Sequence, residues 1–380
     1  MSIAPAPAQW RDQLPVTRNL VYLDHASMGP LPRPTVTAMV ASIEAQAERG
    51  SLEHARLHAE ADAAKADYAA LIGAQPAQIA HITNTASGMG IIAAGLDWRA
   101  GDEVVVLAMD FPSVVLPWMT LQPRGVTVRR VPDVEGQVSV DAILAACGPR
   151  TRVVCASWVQ FSNGARLDLA RLGQACRERG ILFVVDGVQG VGVLQIDVAA
   201  LPIDALVVHA YKWLLAPQGV GWLYVADTLA PRLALPGAGP RSMKPGASFL
   251  NLRFDPRPDA GRFETGLLNF HGIVAARASM GVLQSVGAGV IEARARALAA
   301  RLAEGLVRLG CEVQGGATRA GFESAIVAFR HPRRDAVQCQ ENLLQAGIVT
   351  RAREGWVRVA PHFYNDADEV DALLARLAAL

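Results

Sequence analysis

Short apolar runs alternate with helical patterns along the middle of the chain, and this alternation constrains the fold more than any other feature. β-Branched and apolar residues fill positions 104–107, 153–156, 181–185 and 205–208, and residues 169–179 have helical periodicity. Strands that are apolar on both faces and separated by helices are typical of a parallel sheet covered on both sides. The sequence therefore predicts an α/β fold.

The pattern divides the chain into three regions. A helix-rich stretch over 34–72 precedes the predicted sheet, and a long helical pattern over 290–309 follows it. Strands are then predicted at 324–329 and 356–359, and amphipathic helices at 335–346 and 366–380. We predict an N-terminal arm (1–20), a large domain (21–265), and an interdomain helix followed by a small C-terminal α/β domain (266–380).

Composition excludes several classes of partner. The formal net charge is +1 and the arginines are scattered, so no basic surface for nucleic acid is expected. No apolar run reaches the roughly 20 residues that span a bilayer, and the five cysteines form no CxxC pair. We expect a cytoplasmic protein that binds small molecules and neither nucleic acid nor membrane.

Two chemically capable side chains follow predicted strands. Asp186 ends the apolar run ILFVVD, and Lys212 lies just after the run at 205–208, in the segment HAYKW. Because ligands bind at the carboxyl ends of parallel strands, both side chains are expected in one cleft. Pyridoxal phosphate needs a lysine for its Schiff base and an acid beside its pyridine nitrogen. The pair therefore predicts an enzyme that uses this cofactor.

Two further segments fit the same cofactor. Thr85, Ala86 and Ser87 begin an apolar helical pattern, and the free N–H groups of a helix start bind phosphate. Phe111 follows the strand predicted at 104–107, where its ring is placed to stack on a pyridine ring. The structural alternatives are a plain helix cap for the first segment, core packing for Phe111 and a helix cap for Asp186.

Seven segments occur in the order found in a known family: YLDHASMGPLP, TNTASG, DFPSVVLPW, VVDGVQGVG, HAYKW, RFETGLLN and RVAPHFYNDADEV. From about residue 21 to the C-terminus the chain resembles the class V aminotransferase family, which includes cysteine desulfurases, kynureninases and isopenicillin N epimerase-like proteins. The resemblance implies a fold type I pyridoxal phosphate transferase, with a mainly parallel seven-stranded sheet in the large domain. It also implies a homodimer with active sites at the subunit interface.

The same resemblance implies a role for each matching residue. The implied cofactor contacts are Lys212 (internal aldimine), Asp186 (pyridine nitrogen), Gln189 (ring hydroxyl), Phe111 (ring stacking), and Thr85, Ala86, Ser87, His209 and Tyr211 (phosphate). The implied substrate contacts are Arg358, which would bind the carboxylate, and His25, for which a structural histidine is the alternative. Arg351 or Arg353 is a candidate to favour an acidic substrate side chain, and the loop over 235–250 is expected to shape the pocket.

Three departures from the family pattern bear on function. Leu267 replaces the threonine that reaches the partner's phosphate, and Phe161 occupies the place of an asparagine near the ring hydroxyl, which leaves the role of Asn163 open. The segment VTRAREGWVR is short and lacks the cysteine that desulfurases carry on a loop there. On that ground the sequence predicts an enzyme that is not a cysteine-dependent desulfurase.

Several functions stay open at this point. The residues predict removal of the α-proton of an amino acid, followed by β-elimination at a C–S bond or by epimerisation, with transamination to a 2-oxo acid as the alternative. A dehydrogenase that uses the glycines of DGVQGVG is disfavoured by their order, and a non-catalytic relative is disfavoured by Lys212 and Asp186. His54 and His58 have helical ligand spacing but no evident third ligand, so no metal site is predicted.

Overall fold

The central element is a seven-stranded sheet, seen in a computed structural model that describes residues 3, 5–244, 250, 253–316 and 320–380. Its strands lie in the order β2-β8-β7-β6-β5-β3-β4, and only β8 runs antiparallel to its neighbours. The strands are β2 (Ile79–Ile82), β3 (Glu103–Leu107), β4 (Thr127–Val131), β5 (Thr151–Ser157), β6 (Leu182–Asp186), β7 (Ala205–His209) and β8 (Gly221–Val225). The predicted α/β fold with a mainly parallel seven-stranded sheet is confirmed.

Helices cover both faces of this sheet and continue into the C-terminal part. They are α1 (Ala8–Arg11), α2 (Arg33–Arg49), α3 (His54–Ile72), α4 (Thr85–Gly95), α5 (Pro112–Met119), α6 (Val140–Ala146), α7 (Leu169–Glu178), α8 (Phe270–Val286), α9 (Ala288–Arg308), α10 (Ala336–Gln345) and α11 (Ala367–Ala378). The helix-rich stretch over 34–72 is two helices separated by a 3-10 turn at Gly50–Glu53.

Alternate residues of the central strands enter two separate cores. Val105 of β3 and Val185 of β6 lie in the core on one face, whereas Val104 and Val184 lie in the core on the other. All five residues of β3, β6, β7 and β8 are buried. Their continuous apolar sequences follow from this double coverage.

The C-terminal part has its own antiparallel sheet in the order β12-β13-β10-β9. Its strands are β9 (Glu312–Gly315), β10 (Val327–Arg330), β12 (Arg351–Arg353) and β13 (Trp356–Val359), and a third core packs α9, α10 and α11 against one face. The short strand β1 (Val21–Tyr22) pairs in parallel with β11 (Ile348–Val349), so the residues after the predicted N-terminal arm contact the C-terminal part. The domain boundaries remain a prediction.

The strand predicted at 324–329 begins three residues later than expected. The Ser324 hydroxyl donates to the carbonyl of Gly164 at 2.7 Å, which holds residues 324–326 against the large sheet region, and pairing with β9 starts at Val327. The loop over 235–250 lies partly outside the described residues. Among those described, no single helix has the length and apolar composition to cross a membrane; α8 and α9 meet that test only as a pair bent by 80°.

Candidate active site

The carboxyl ends of β2, β6 and β7 meet the amino end of β8 at one edge of the large sheet. Asp186 pairs with Val207 in the parallel register of β6 and β7, which brings the end of β6 beside the end of β7. Ile82 and His209 both pair with Gly221 of β8, so the residues that start α4 lie at the same edge. The strand order thereby collects segments more than 100 residues apart into one site.

Lys212 differs from the other two lysines of the chain. Lys65 pairs with Glu264 at 3.0 Å and Lys244 pairs with Asp255 at 2.8 Å, but Lys212 Nζ has neither an ion pair nor a hydrogen bond with any described residue. Burial lowers the pKa of Lys212 to about 7. At neutral pH a large part of this amine is therefore uncharged and nucleophilic.

Asp186 lies at the bottom of the same cavity and is 5% exposed. Its Oδ2 accepts a hydrogen bond from the Ser157 hydroxyl at 3.0 Å, and its Oδ1 accepts from the N–H of Val188 at 3.1 Å. Burial raises the pKa of Asp186, and the charge of Lys212 acts in the opposite direction. A cationic partner in this cavity would stabilise its ionised form.

A second buried acid, Asp110, was not singled out from the sequence. Gln160 Nε2 donates to its Oδ1 at 2.6 Å, and the N–H of Ser157 lies 3.4 Å from both of its oxygens. Burial raises the pKa of Asp110 to about 7. Ser157 therefore links two carboxylates, Asp110 through its backbone and Asp186 through its hydroxyl. The only sequence signal was the acid directly before Phe111, at the end of a strand.

The start of α4 forms one wall of the cavity. Asn84 caps the helix, and Thr85 Oγ1 lies 2.8 Å from His209 Nδ1. The N–H groups of Thr85 and Ala86 are in the first helical turn and have no intrahelical acceptor, while His209 Nε2 is buried without a hydrogen-bond partner among the described residues. These donors are available to an anion.

Ser87 does not join this wall as the sequence predicted. Its hydroxyl donates to the carbonyl of Asn84 at 2.7 Å, and its N–H donates to the Asn84 side chain at 2.9 Å. Ser87 lines a neighbouring cavity together with Leu267 instead. In the capping box the Ser87 N–H is a donor and its hydroxyl accepts from the N–H of Asn84, so Ser87 is engaged within its own helix start and the anion site is smaller than expected.

Aromatic rings enclose the space above Lys212. Phe111 and Tyr211 have ring centroids 5.8 and 5.9 Å from Lys212 Nζ, and Phe111 meets Phe161 edge-on at 5.2 Å. Tyr211 stacks in parallel on His209 at 4.0 Å. The enclosed cavity has a volume of about 110 Å³. In the sequence, Phe161 was noted only because it replaces an asparagine of the family pattern, yet its ring lines this cavity.

Gln189 and His25 already have protein partners. Gln189 Nε2 donates to the carbonyl of Ala26 at 3.0 Å, and its Oε1 accepts from the indole of Trp213 at 2.8 Å. His25 is fully buried, with Nδ1 at 2.7 Å from the carbonyl of Ala360 and Nε2 at 2.7 Å from the Tyr364 hydroxyl. Burial lowers the pKa of His25 to about 4, so it is a neutral residue that joins two segments.

Arg358 is likewise engaged. Its Nη1 donates to the carbonyl of Phe161 at 2.6 Å, and its Nη2 donates to Asp24 Oδ1 at 3.2 Å and to the Ser27 hydroxyl at 2.5 Å. The side chain is 1% exposed. A carboxylate that uses both ends of the guanidinium fork would have to displace Asp24 or Ser27.

A match to known proteins decides the family. The model of the family described as "Aminotransferase class-V" matches residues 21–373. The chain belongs to the class V aminotransferase family. Isopenicillin N epimerase of Amycolatopsis lactamdurans is 30% identical to this class V protein over 400 residues and covers 100% of the chain and 99% of its own length. A probable cysteine desulfurase of Methanothermobacter thermautotrophicus is 28% identical over 402 residues, which are 96% of the chain and 95% of that relative.

Among solved structures, the class V protein is similar to the cystine C–S lyase C-DES in complex with its reaction product cysteine persulfide. The TM-score is 0.90 at 25% identity, over 96% of this chain and 99% of that one. The predicted cofactor, pyridoxal 5'-phosphate, is confirmed by the family and by a related lyase structure with glycine covalently linked to the cofactor. The unpaired Lys212, the buried Asp186 and the orphaned donors beside α4 fit that cofactor chemically.

The exclusion of cysteine desulfurases was wrong. Several relatives that match over nearly the whole class V chain are named probable cysteine desulfurases, and a solved cysteine desulfurase shares the fold. The exclusion rested on one short segment before β13, whereas the similarity to these relatives is distributed over the entire length. A single missing side chain therefore does not separate the class V protein from them.

Two other features lie away from this site. A cavity of about 620 Å³ lies between the start of α7 and Arg296 of α9, and no lysine lines it. His54 and His58 approach to 3.2 Å between their Nε2 atoms, and Arg241 donates to His58 Nδ1. Within the described residues no third ligand joins them.

Proposed function

We propose that the chain removes the α-proton of a sulfur-containing amino acid and eliminates the β-substituent, as a C–S lyase. The observation that carries this proposal is Lys212, an unpaired amine with a pKa lowered to about 7, which shares a cavity with the buried carboxylate of Asp186. The similarity to a cystine C–S lyase over almost the whole chain supports the choice of reaction.

Each residue of the cavity has a task in this proposal. Lys212 would hold the cofactor and would serve as the base for the α-proton. Asp186 would hold a proton on the pyridine nitrogen, and Ser157 orients Asp186 through its hydrogen bond. Phe111 and Gln189 would contact the ring, Gln189 while it keeps its hydrogen bonds to Ala26 and Trp213, and the cofactor, when bound, would supply a sink for the electrons released at the α-carbon.

The phosphate of the cofactor is assigned to the start of α4. The N–H groups of Thr85 and Ala86 point out of the first turn, and His209 Nε2 is buried without a partner among the described residues. With the Thr85 hydroxyl donating to Nδ1, the ring proton would sit on Nε2 and Nε2 would donate to the phosphate. Burial lowers the pKa of His209 well below its usual value, so the ring is neutral. Contact through Thr85 fixes one ring nitrogen and leaves the other for the phosphate. Tyr211 covers His209 from the solvent side.

Epimerisation is the second candidate, because the 30% identical relative that spans the whole chain is an isopenicillin N epimerase. An epimerase would use the same proton removal at Lys212 and would return the proton to the opposite face of the α-carbon. Both reactions proceed without a second substrate. Transamination differs, since it needs a 2-oxo acid to receive the amino group.

Product analysis tests the proposed function. With L-cystine and water, but without a 2-oxo acid, we expect cysteine persulfide, pyruvate and ammonia in equal amounts. An epimerase would instead give the D-isomer, with one deuterium incorporated at the α-carbon in D₂O. Alanine and sulfane sulfur from cysteine would identify a desulfurase, and product formed only with a 2-oxo acid would identify a transaminase.

Protein stripped of pyridoxal phosphate is the control for this experiment, and activity should return when the cofactor is restored. The same panel is run with S-substituted cysteines, since elimination depends on the β-leaving group. Turnover of none of these amino acids by the reconstituted protein would contradict the proposal.

We further infer a homodimer. Val36, Val40 and Ile43 recur at helical spacing on α2 and are 43–46% exposed, although the same helix packs against α8. An exposed apolar stripe of this kind is typical of a subunit interface. Light scattering should give about twice the 40.3 kDa chain mass. Val40→Glu should shift the mass towards one chain, and Val307→Glu, at an exposed valine of α9, should not. If the wild type, Val40→Glu and Val307→Glu all have the mass of one chain, the dimer is contradicted.

A further inference from the structure

The β12–β13 hairpin places three arginines on one face of the small sheet. Arg351 pairs directly with Arg358 across the two strands, and Arg353, two residues further along β12, pairs with Trp356. Residues opposite each other in an antiparallel pair, and residues two apart on a strand, share a face. Ala352 and Val357 point to the other face, into the third core. The three guanidinium groups therefore lie on the side away from that core.

One carboxylate is shared between two of these arginines. Asp24 accepts from Arg351 Nε through Oδ2 at 3.1 Å and from Arg358 Nη2 through Oδ1 at 3.2 Å. Three cations and one anion leave a net charge of +2 on this face. The charges of Arg353 and Arg351 both act to lower the pKa of Arg358, after the larger effect of burial. Uncompensated positive charge of this size favours an anionic ligand.

Arg353 is the arginine of the three without an acceptor. Its guanidinium makes no hydrogen bond or ion pair with any described residue, and its Nε is buried without a partner. The backbone beneath it is fixed by a two-residue turn, since Glu354 and Gly355 have φ values of 47° and 78°. Positive φ at both central residues is the geometry of a type I′ hairpin, which is a tight connection.

Arg353 lies beside one wall of the cavity around Lys212. Its Cζ lies 5.8 Å from the centre of the Phe161 ring, which forms part of the cavity wall. Its charge acts on groups inside the site: burial is the main cause of the lowered pKa of Lys212 and of the raised pKa of Tyr211, and Arg353 contributes to lowering both. The position of the guanidinium beside Phe161 places it next to the cavity in which a substrate would bind at Lys212.

We propose that Arg353 is a specificity residue that binds a second carboxylate of the substrate, one located beyond the α-carbon. This proposal rests on the proposed function, because it assumes that an amino acid binds at Lys212. It names the substrate class as amino acids with a distal carboxylate, a group that L-cystine also carries. The fork of Arg353 is unoccupied by described residues, whereas that of Arg358 is held by Asp24 and Ser27.

Binding of two unreactive probes to the cofactor-loaded protein tests this proposal. 2-Methylglutamate carries a distal carboxylate and 2-methylnorvaline carries a methyl group in its place, and neither has an α-hydrogen, so binding is read from the cofactor absorbance without turnover. Arg353→Gln should weaken 2-methylglutamate binding by roughly tenfold to hundredfold, as expected for loss of a charge-assisted hydrogen bond. Binding of 2-methylnorvaline should change less than about twofold.

Two further variants complete the design. Arg353→Lys keeps the charge but loses the fork, so an intermediate loss is expected. Arg330→Gln is the matched control, because Arg330 lies on the neighbouring strand and has its own acceptor, Glu312, at 3.3 Å. It should bind both probes like the wild type. KM values are then measured for L-cystine, which has a distal carboxylate beyond its disulfide, and for S-methylcysteine, which has none. A KM that Arg353→Gln raises only for L-cystine would show that Arg353 also binds the distal carboxylate of a disulfide.

The outcomes separate the two proposals. If neither probe alters the cofactor spectrum of any variant, the proposed function has failed. If both probes bind to the wild type and Arg353→Gln weakens neither, or weakens both equally, the assignment of Arg353 is overturned while the proposed function stands. If Arg353→Gln loses only 2-methylglutamate binding and keeps the melting temperature and cofactor spectrum of the wild type, the assignment of Arg353 is supported.

Discussion

Lys212→Ala is expected to lower turnover of every accepted amino acid by at least about a thousandfold, because it removes both the attachment point of the cofactor and the base for the α-proton. Among the residues that the structure describes, Lys212 is the one lysine without a carboxylate partner at ion-pair distance, and burial lowers its pKa to about 7. Initial rates with saturating pyridoxal phosphate measure the loss. Borohydride reduction of the wild type, followed by peptide mass analysis, should place the reduced cofactor on Lys212.

Lys244→Ala is the matched control. Lys244 is about half exposed and pairs with Asp255, so its loss should leave turnover unchanged. The pH dependence supplies a second signature: attachment of the cofactor to the apoprotein should accelerate as pH rises through about 7, where Lys212 loses its proton. A lysine with an ordinary pKa would give a rate that continues to rise towards pH 10. Label on another lysine, or full activity of Lys212→Ala, would refute the assignment.

The second large effect is expected for Asp186→Asn. The amide preserves the size of the side chain but removes the negative charge that would hold a proton on the pyridine nitrogen. Breaking a buried charge pair costs about 3–5 kcal/mol, which corresponds to a loss of roughly 10²-fold to 10⁴-fold in the rate of α-proton exchange. Exchange of the α-hydrogen in D₂O, followed by NMR, measures that step directly.

Asp204→Asn controls for the loss of a half-buried acid. Asp204 accepts from the N–H of Phe183 at 2.7 Å, and burial raises the pKa of its carboxyl as it does for Asp186. It lies at the opposite end of β7, away from Lys212, so its replacement should affect the free energy of unfolding and not the exchange rate. Wild-type exchange in Asp186→Asn would remove this carboxylate from the proposed chemistry.

The main elements of the site were predictable because they depend on local pattern and strand order. Asp186 and Lys212 each follow a continuous apolar run, and parallel strands bring their carboxyl ends to one edge. The parallel register of β6 and β7 places them as expected. The helix start at Thr85 was predictable for the same reason, since capping residues have a local sequence signature.

The rest depends on contacts that no local pattern encodes. The pairing of Asp24 with Arg358 joins residues 334 positions apart, and it changes Arg358 from a free carboxylate receptor into a side chain that is already occupied. Ser87 belongs to the predicted phosphate segment, but its donors serve the cap of its own helix. Asp110 gave only a weak signal, because its importance comes from its contacts with Ser157, the last residue of β5, and with Gln160 in the segment after that strand.

The error about desulfurases has a similar origin. A missing cysteine is a local observation, whereas membership of a group of relatives is a property of the whole chain. The hairpin of β12 and β13 that takes the place of the expected cysteine loop carries Arg353, a feature that was visible in the sequence only as one of two candidate arginines. The β12–β13 hairpin therefore carries the proposed substrate contact, and its lack of a cysteine does not exclude the reaction of the desulfurase relatives.

The segment from Asp24 to Gly29 has a consequence for how the protein matures on the ribosome. Gly29 donates to the carbonyl of Tyr211 at 2.8 Å, and a side chain at Gly29 would meet the carbonyl of Lys212 at 2.1 Å. Asp24, near the start of the same segment, contacts Arg358, 334 positions later in the sequence, and pairs with Ala360. The segment can make these contacts only after residues 358–360 have been synthesised, so the lysine pocket cannot close before β13 has left the ribosome.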